Sequence, residues 1–159
     1  MLYRRLAAAI LISGAALPAL AADFPFEGSW KITDVSVASW EDPADPMLTD
    51  DAERYTGKVV TVTRDSLLGP DLLGCGKTKT TIVSLPYAGL FEGMLAADPK
   101  NPAAPSDEAK ARKLALELGF TTEPIQSLFQ GCSEIILHKR DDKTLMFGMN
   151  NRIFKLEKQ

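Results

Sequence analysis

Apolar positions along this chain recur in two rhythms, and together they predict a mainly β protein interrupted by one helix. Residues 28–37 follow Phe24-Pro25-Phe26-Glu27 and are rich in aromatic and β-branched side chains, which predicts a first strand. The clearest strand is 57–64, with Val60 and Val62 on one face and Val59, Thr61 and Thr63 on the other. Segments 79–85, 87–95, 123–130, 133–138, 143–148 and 152–157 read the same way. Pro86 divides 79–85 from 87–95, because proline inside a central strand removes a ladder donor. Met149-Asn150-Asn151 predicts a hairpin turn, since Asn tolerates positive φ.

The second rhythm appears once. Ala111, Leu114, Ala115 and Leu118 fall at i, i+3, i+4 and i+7, one apolar stripe of a helix. Ser106 is the candidate N-cap, Asp107 and Glu108 place acids in the first turn, and Gly119 supplies the stop. The Pro-rich 98–105 stretch before it is too short and too central to divide two cores. About eight short strands and one inserted amphipathic helix predict a small antiparallel β-barrel or highly curved sheet in a single domain, 23–159.

The first 22 residues stand apart. Met1-Leu2-Tyr3-Arg4-Arg5 is basic, 6–16 is apolar, and Ala19-Leu20-Ala21 has the small-x-small form of a signal-peptidase site. Residues 1–22 are read as a cleaved signal peptide, the apolar run being short against the ~20 residues of a spanning helix. The mature chain is then periplasmic or secreted, and has no second segment of spanning length. Losing Arg4 and Arg5 leaves a mature net charge of about −5. That sign argues against nucleic acid and anionic membrane surfaces. Cys75 and Cys132 are the only cysteines, and in an oxidising compartment an isolated pair predicts a structural disulfide.

Gly28-Ser29-Trp30 resembles the Gly-x-Trp that opens the first strand of lipocalins and related calycin barrels. The resemblance implies a barrel closed by an arginine of the last strand packed across the tryptophan, and Arg152, sharing a strand face with Phe154 and Leu156, is the counterpart here. It covers only the two ends of the chain. The helix precedes the last four strands instead of following the barrel, and the family's Thr-Asp-Tyr motif is missing.

Catalytic motifs are sparse. Gly76-Lys77-Thr78 echoes a phosphate-binding loop, but position 71 is Asp where that motif needs Gly. His138 is the single imidazole, so a Ser–His–acid triad would have to pair it with a carboxylate such as Asp141 or Asp142. It precedes Lys139-Arg140-Asp141-Asp142, which reads as a solvated hairpin tip, and no Gly-x-Ser-x-Gly elbow is present. A non-catalytic binding protein without cofactor or metal is therefore expected. Its ligand is either a small apolar molecule lined by Trp30, Tyr87, Phe91 and Phe154 or a protein partner. The alternative is an inhibitor of an envelope, cell-wall-degrading hydrolase, docking through the acidic 41–53 loop. A small apolar ligand needs a cavity lined by those four residues, whereas an inhibitor calls for a filled core and a protruding acidic loop whose binding weakens with salt.

Overall fold

The computed structural model describes residues 24–40, 50–98, 100, 101, 103–133 and 135–159. The predicted signal peptide and residues 41–49 of the acidic loop lie outside them.

Nine strands are present: β1 Gly28–Val37, β2 Val59–Thr63, β3 Ser66–Leu68, β4 Gly76–Lys77, β5 Thr80–Leu85, β6 Ile125–Gln130, β7 Leu137–Asp141, β8 Thr144–Met149 and β9 Arg152–Lys158. All pair antiparallel in one strongly curled half-barrel sheet, in the order β4-β3-β2-β1-β9-β8-β7-β6-β5. Two helices join them, α1 Asp50–Tyr55 and α2 Glu108–Glu117. The predicted stripe holds: Ala111 and Ala115 of α2 are fully buried, with Leu114 and Leu118 packed beside them. Asp107, one residue after the expected cap, closes the helix start by accepting the Lys110 N–H at 2.9 Å.

The expected strand at 87–95 is a different object. Tyr87–Gly93 forms a 3₁₀ strap broken by a kink, with Leu90 extended and then three successive positive φ values, 49° at Phe91, 55° at Glu92 and 85° at Gly93. A strand cannot pair through such a left-handed turn, which costs a non-glycine residue about 1–2 kcal/mol. Residues 65–74, whose Gly69-Pro70-Asp71 reads as a turn-rich connection, contain β3 and a 3₁₀ turn at Asp71–Leu73.

The sheet separates two cores. Trp30, Ile32, Val60, Val62, Leu67, Leu128, Leu137, Leu145, Phe147, Phe154 and Leu156 converge inside the curl, where Phe24, Phe26 and Tyr55 complete the filling. On the outer face, Ile125, Met146 and Ile153 meet the strap and α2. Strands β8 and β9 feed both sides alternately, Leu145, Phe147, Phe154 and Leu156 inward and Met146 and Ile153 outward, so the middle of β8 reads as an unbroken apolar run.

β4 and β5 end the strand order yet follow each other in the chain, joined by Thr78-Lys79. The two edges are tied together here. Thr78 N–H donates to Asp65 C=O at 2.9 Å, and Gly131 N–H donates to Lys79 C=O at 3.1 Å. The Thr80 hydroxyl donates to Arg64 C=O at 2.6 Å. The disulfide Cys75–Cys132 spans the same seam with a Cα–Cα distance of 5.9 Å.

The expected closure of Trp30 by Arg152 does not form. Trp30 is opposite Lys158 in the β1–β9 ladder and Arg152 is opposite Val37, at the other end of the strand. Seven residues of extended chain put them about 20 Å apart. Lys158 supplies the cation instead, 5.3 Å from the Trp30 ring centroid, while the indole N–H donates to Phe26 C=O at 2.9 Å. Arg152 is only 7% exposed, and its Nε has no acceptor among the described residues. Arg152→Met should therefore leave stability unchanged or raise it by about 1 kcal/mol, whereas Arg152→Ala should lower it through lost stem packing. Thermal unfolding of both variants measures this; a loss of about 2 kcal/mol or more in the methionine variant would mean that the guanidinium is held by a partner.

Candidate functional site

The four residues expected to line a ligand cavity are not brought together. Trp30 and Phe154 belong to the inner core, Tyr87 and Phe91 to the outer one, with the sheet between the pairs. Each is surrounded by side chains. Phe147 stacks on Phe154 at 4.5 Å between centroids, and Tyr55 meets the same ring edge-on at 5.9 Å. Trp40, Phe120 and His138 enclose Phe91 at 5.9, 6.3 and 4.9 Å. Tyr87 borders a surface recess, beside Pro86, Ala88, Glu108, Arg112 and Glu123. Small curled sheets are commonly filled by side chains in this way.

His138 is buried, not at a solvated tip. Strand β7 continues to Asp141 and the turn comes at Asp142-Lys143, so His138 lies within the strand and faces the strap. Both its nitrogens are committed. Phe91 N–H donates to Nε2 at 3.0 Å, which leaves the ring proton on Nδ1, and Nδ1–H donates to the Ser127 hydroxyl oxygen at 2.8 Å. Burial pushes the imidazole pKa from 6.5 down to about 3. A proton added at Nε2 would also confront the Phe91 N–H. The arrangement is the reverse of a nucleophile–base pair, because the histidine donates to the serine and has no lone pair left to take its proton. Its evident work is mechanical: it holds the backbone of the left-handed turn. Asp141 and Asp142 are engaged elsewhere, Asp141 with Arg140 at 3.1 Å and Asp142 with Lys139 at 2.8 Å.

Of the acidic 41–53 loop, Asp50, Asp51 and Glu53 fall in the first turn of α1, where carboxylates suit the helix dipole, and Asp51 accepts from the Asn150 amide at 2.8 Å. Among the described residues no group of three or more His, Cys, Asp and Glu side chains is placed to hold a metal. No helix among them is long and apolar enough to cross a membrane.

The most distinctive surface feature is at the seam. Beyond Thr80, β5 pairs with β6 on one side and with no described strand on the other. Phe24, Arg64, Asp65, Thr78, Lys79, Thr80 and Ile82 line a groove of about 520 Å³ between β5 and the β2–β3 turn. Phe24 is 8% exposed with Arg64 5.5 Å from its ring centroid, and Ile82 is 39% exposed. Sequence reading assigned 79–85 to a strand but gave no sign that it ends the sheet. Its uncharged Thr-Thr-Ile-Val-Ser-Leu composition reads equally well as an inner strand.

No family model, no curated protein and no solved structure matches this chain.

Proposed function

We propose that the chain is an exported, non-catalytic binding protein whose ligand is another polypeptide. One observation carries the choice of ligand: the aromatic side chains available for a small-molecule cavity are spent in two filled cores on opposite sides of the sheet. Recognition then has to use the outer surface, as protein partners do. Export is supported by the basic–apolar–small pattern of residues 1–22 and by the disulfide, which persists in oxidising compartments. The non-catalytic reading is supported by the single histidine, whose hydrogen bonds leave it unable to act as a base toward Ser127.

Native mass spectrometry of the protein purified gently from its own source tests this. The expected result is a second polypeptide in the complex. A bound small molecule, retained through buffer exchange, would overturn it.

A second reading is inhibition of an envelope hydrolase through the acidic 41–53 segment. The filled core suits it, as does the exposure of Asp50 and Glu53 at the start of α1. An acidic docking surface would lose affinity for a basic hydrolase as salt is raised, with the steepest loss where Debye screening sets in.

A further inference from the structure

We infer that the free edge of β5 accepts an extended segment of the partner as a further strand, seated in the groove between β5 and the β2–β3 turn. The inference rests on the reading of the protein as a polypeptide binder and names where and how the partner docks.

The direction of the backbone groups follows from the ladder. β5 and β6 pair Thr80 with Gln130, Ile82 with Leu128 and Ser84 with Gln126, without a bulge. The Gly131 N–H bond to Lys79 C=O makes that flanking pair a hydrogen-bonded one. Alternation along an antiparallel ladder then directs the N–H and C=O groups of Thr81 and Val83 toward β6, and those of Thr80, Ile82 and Ser84 away from it. Thr80 sits where the seam is tied. Ile82 and Ser84 therefore present the open donors and acceptors, spaced by two residues of extended chain, about 7 Å. An extended polypeptide matches that spacing, and strand addition is a recurrent mode of peptide recognition.

The edge also lacks the usual protection. Between Thr80 and Leu85 there is no charge, no proline and no bulge, the devices that keep edge strands from pairing. Thr81 and Ile82 point to opposite faces, and both are exposed, so the edge is open from either side.

The groove specifies the occupant's side chains. Ile82 points to the inner face opposite the fully buried Leu128, and Phe24 lies in the same groove. The inward side chain of an added strand next to Ile82 would extend the inner core, which calls for an apolar residue. Lys79, exposed along the lining, offers a charge that a carboxylate of the occupant would meet. Carboxylates flanking the apolar residue complete the match.

Amide hydrogen exchange by NMR on the folded, disulfide-bonded protein tests the inference. The probe is a short synthetic peptide alternating Val and Thr between terminal glutamates, with an N-methylated-backbone version as control. In the free protein the Ile82 and Ser84 amides should exchange fast, and Thr81 and Val83 slowly. The peptide should slow Ile82 and Ser84 by about tenfold or more, and the control should not. Ile82→Pro removes an outward N–H while sparing the bonds to β6, and should abolish the effect. Ile82→Lys, which leaves the backbone intact, should weaken it as well, and serves if the proline variant does not fold.

Slow Ile82 and Ser84 exchange in the free protein overturns the inference: independent of concentration, it means that the chain covers its own edge; rising with concentration, it means that a second copy does. Amides unaffected by the peptide also overturn it. That failure leaves the polypeptide-binder reading intact, because the mass measurement judges it separately.

Discussion

Lowering the pH from neutrality to 5 is expected to reduce the unfolding free energy by about 2 kcal/mol through His138 alone. In the unfolded chain the imidazole takes up a proton near pH 6.5, whereas in the folded protein burial holds its pKa at about 3. Between those values the unfolded state binds the extra proton. The contribution is therefore complete above pH 6.5, falls by about 1.4 kcal/mol for each unit of acidification, and is exhausted near pH 3. His138 is the only histidine, and most carboxylates titrate below pH 5, so the window from 7 to 5 isolates it. Urea unfolding at several pH values within that window gives the slope. His138→Gln should flatten it, at a cost near neutrality of about 1–3 kcal/mol if the Phe91 N–H or the Ser127 hydroxyl is left unpaired. Equal slopes for the two proteins would contradict the buried, neutral assignment.

Reducing the disulfide should cost about 4 kcal/mol, from the chain entropy that the link removes from an unfolded loop with a sequence separation of 57. Domain stabilities commonly lie between about 5 and 15 kcal/mol, so much of the margin would go. The location sharpens the expectation. β4, the edge strand, has two residues and its neighbour β3 three, with little ladder to hold them. Cys75 and Cys132 clamp this weak corner to the end of β6. Urea midpoints with and without a phosphine reductant, and for Cys75→Ala/Cys132→Ala, measure the loss. Coincident midpoints would show that the seam's hydrogen bonds suffice without the bond.

Where one face of an element meets a core and the other meets water, sequence reading located it. β1 coincides with 28–37, β2, β5 and β6 fall within two residues of expectation, and the α2 stripe is the buried face; β8 and β9, buried on both faces, were located by their apolar content and the Asn150-Asn151 turn. Two of the misreadings share a cause. His138 and the 87–93 strap form one unit, and each conceals the other. An outward-facing histidine before Lys-Arg-Asp-Asp looks solvated unless a cover is known to lie over it. That cover looks like a strand unless a histidine is known to brace its left-handed turn. Gly93 was the local signal available, but Phe91 and Glu92 in the same conformation cannot be inferred from residue type, since both disfavour it. The Trp30–Arg152 assignment failed over length along β9: the correct strand and face placed the cation at the wrong end. The four aromatics were expected to line one cavity, but which side of the sheet each occupies depends on the strap's position, which no periodicity encodes.

Burial on both faces also changes what can go wrong during folding. When a hairpin has one wet face, slippage by a residue drowns its apolar side chains, and the error is penalised at once. β9 keeps that penalty, since a slip would turn Lys155 toward the inner core, but β8 escapes it, for a displaced Leu145, Met146 or Phe147 would still find a hydrophobic neighbour. Discrimination falls to size. A Cβ on Gly148 would lie 3.3 Å from Phe91 Cδ1, so the strap docks closely over a position without a side chain. Slippage would present Phe147 or Met149 there and hold the strap off. The close approach of the strap over Gly148 thus favours the register in which that glycine faces it.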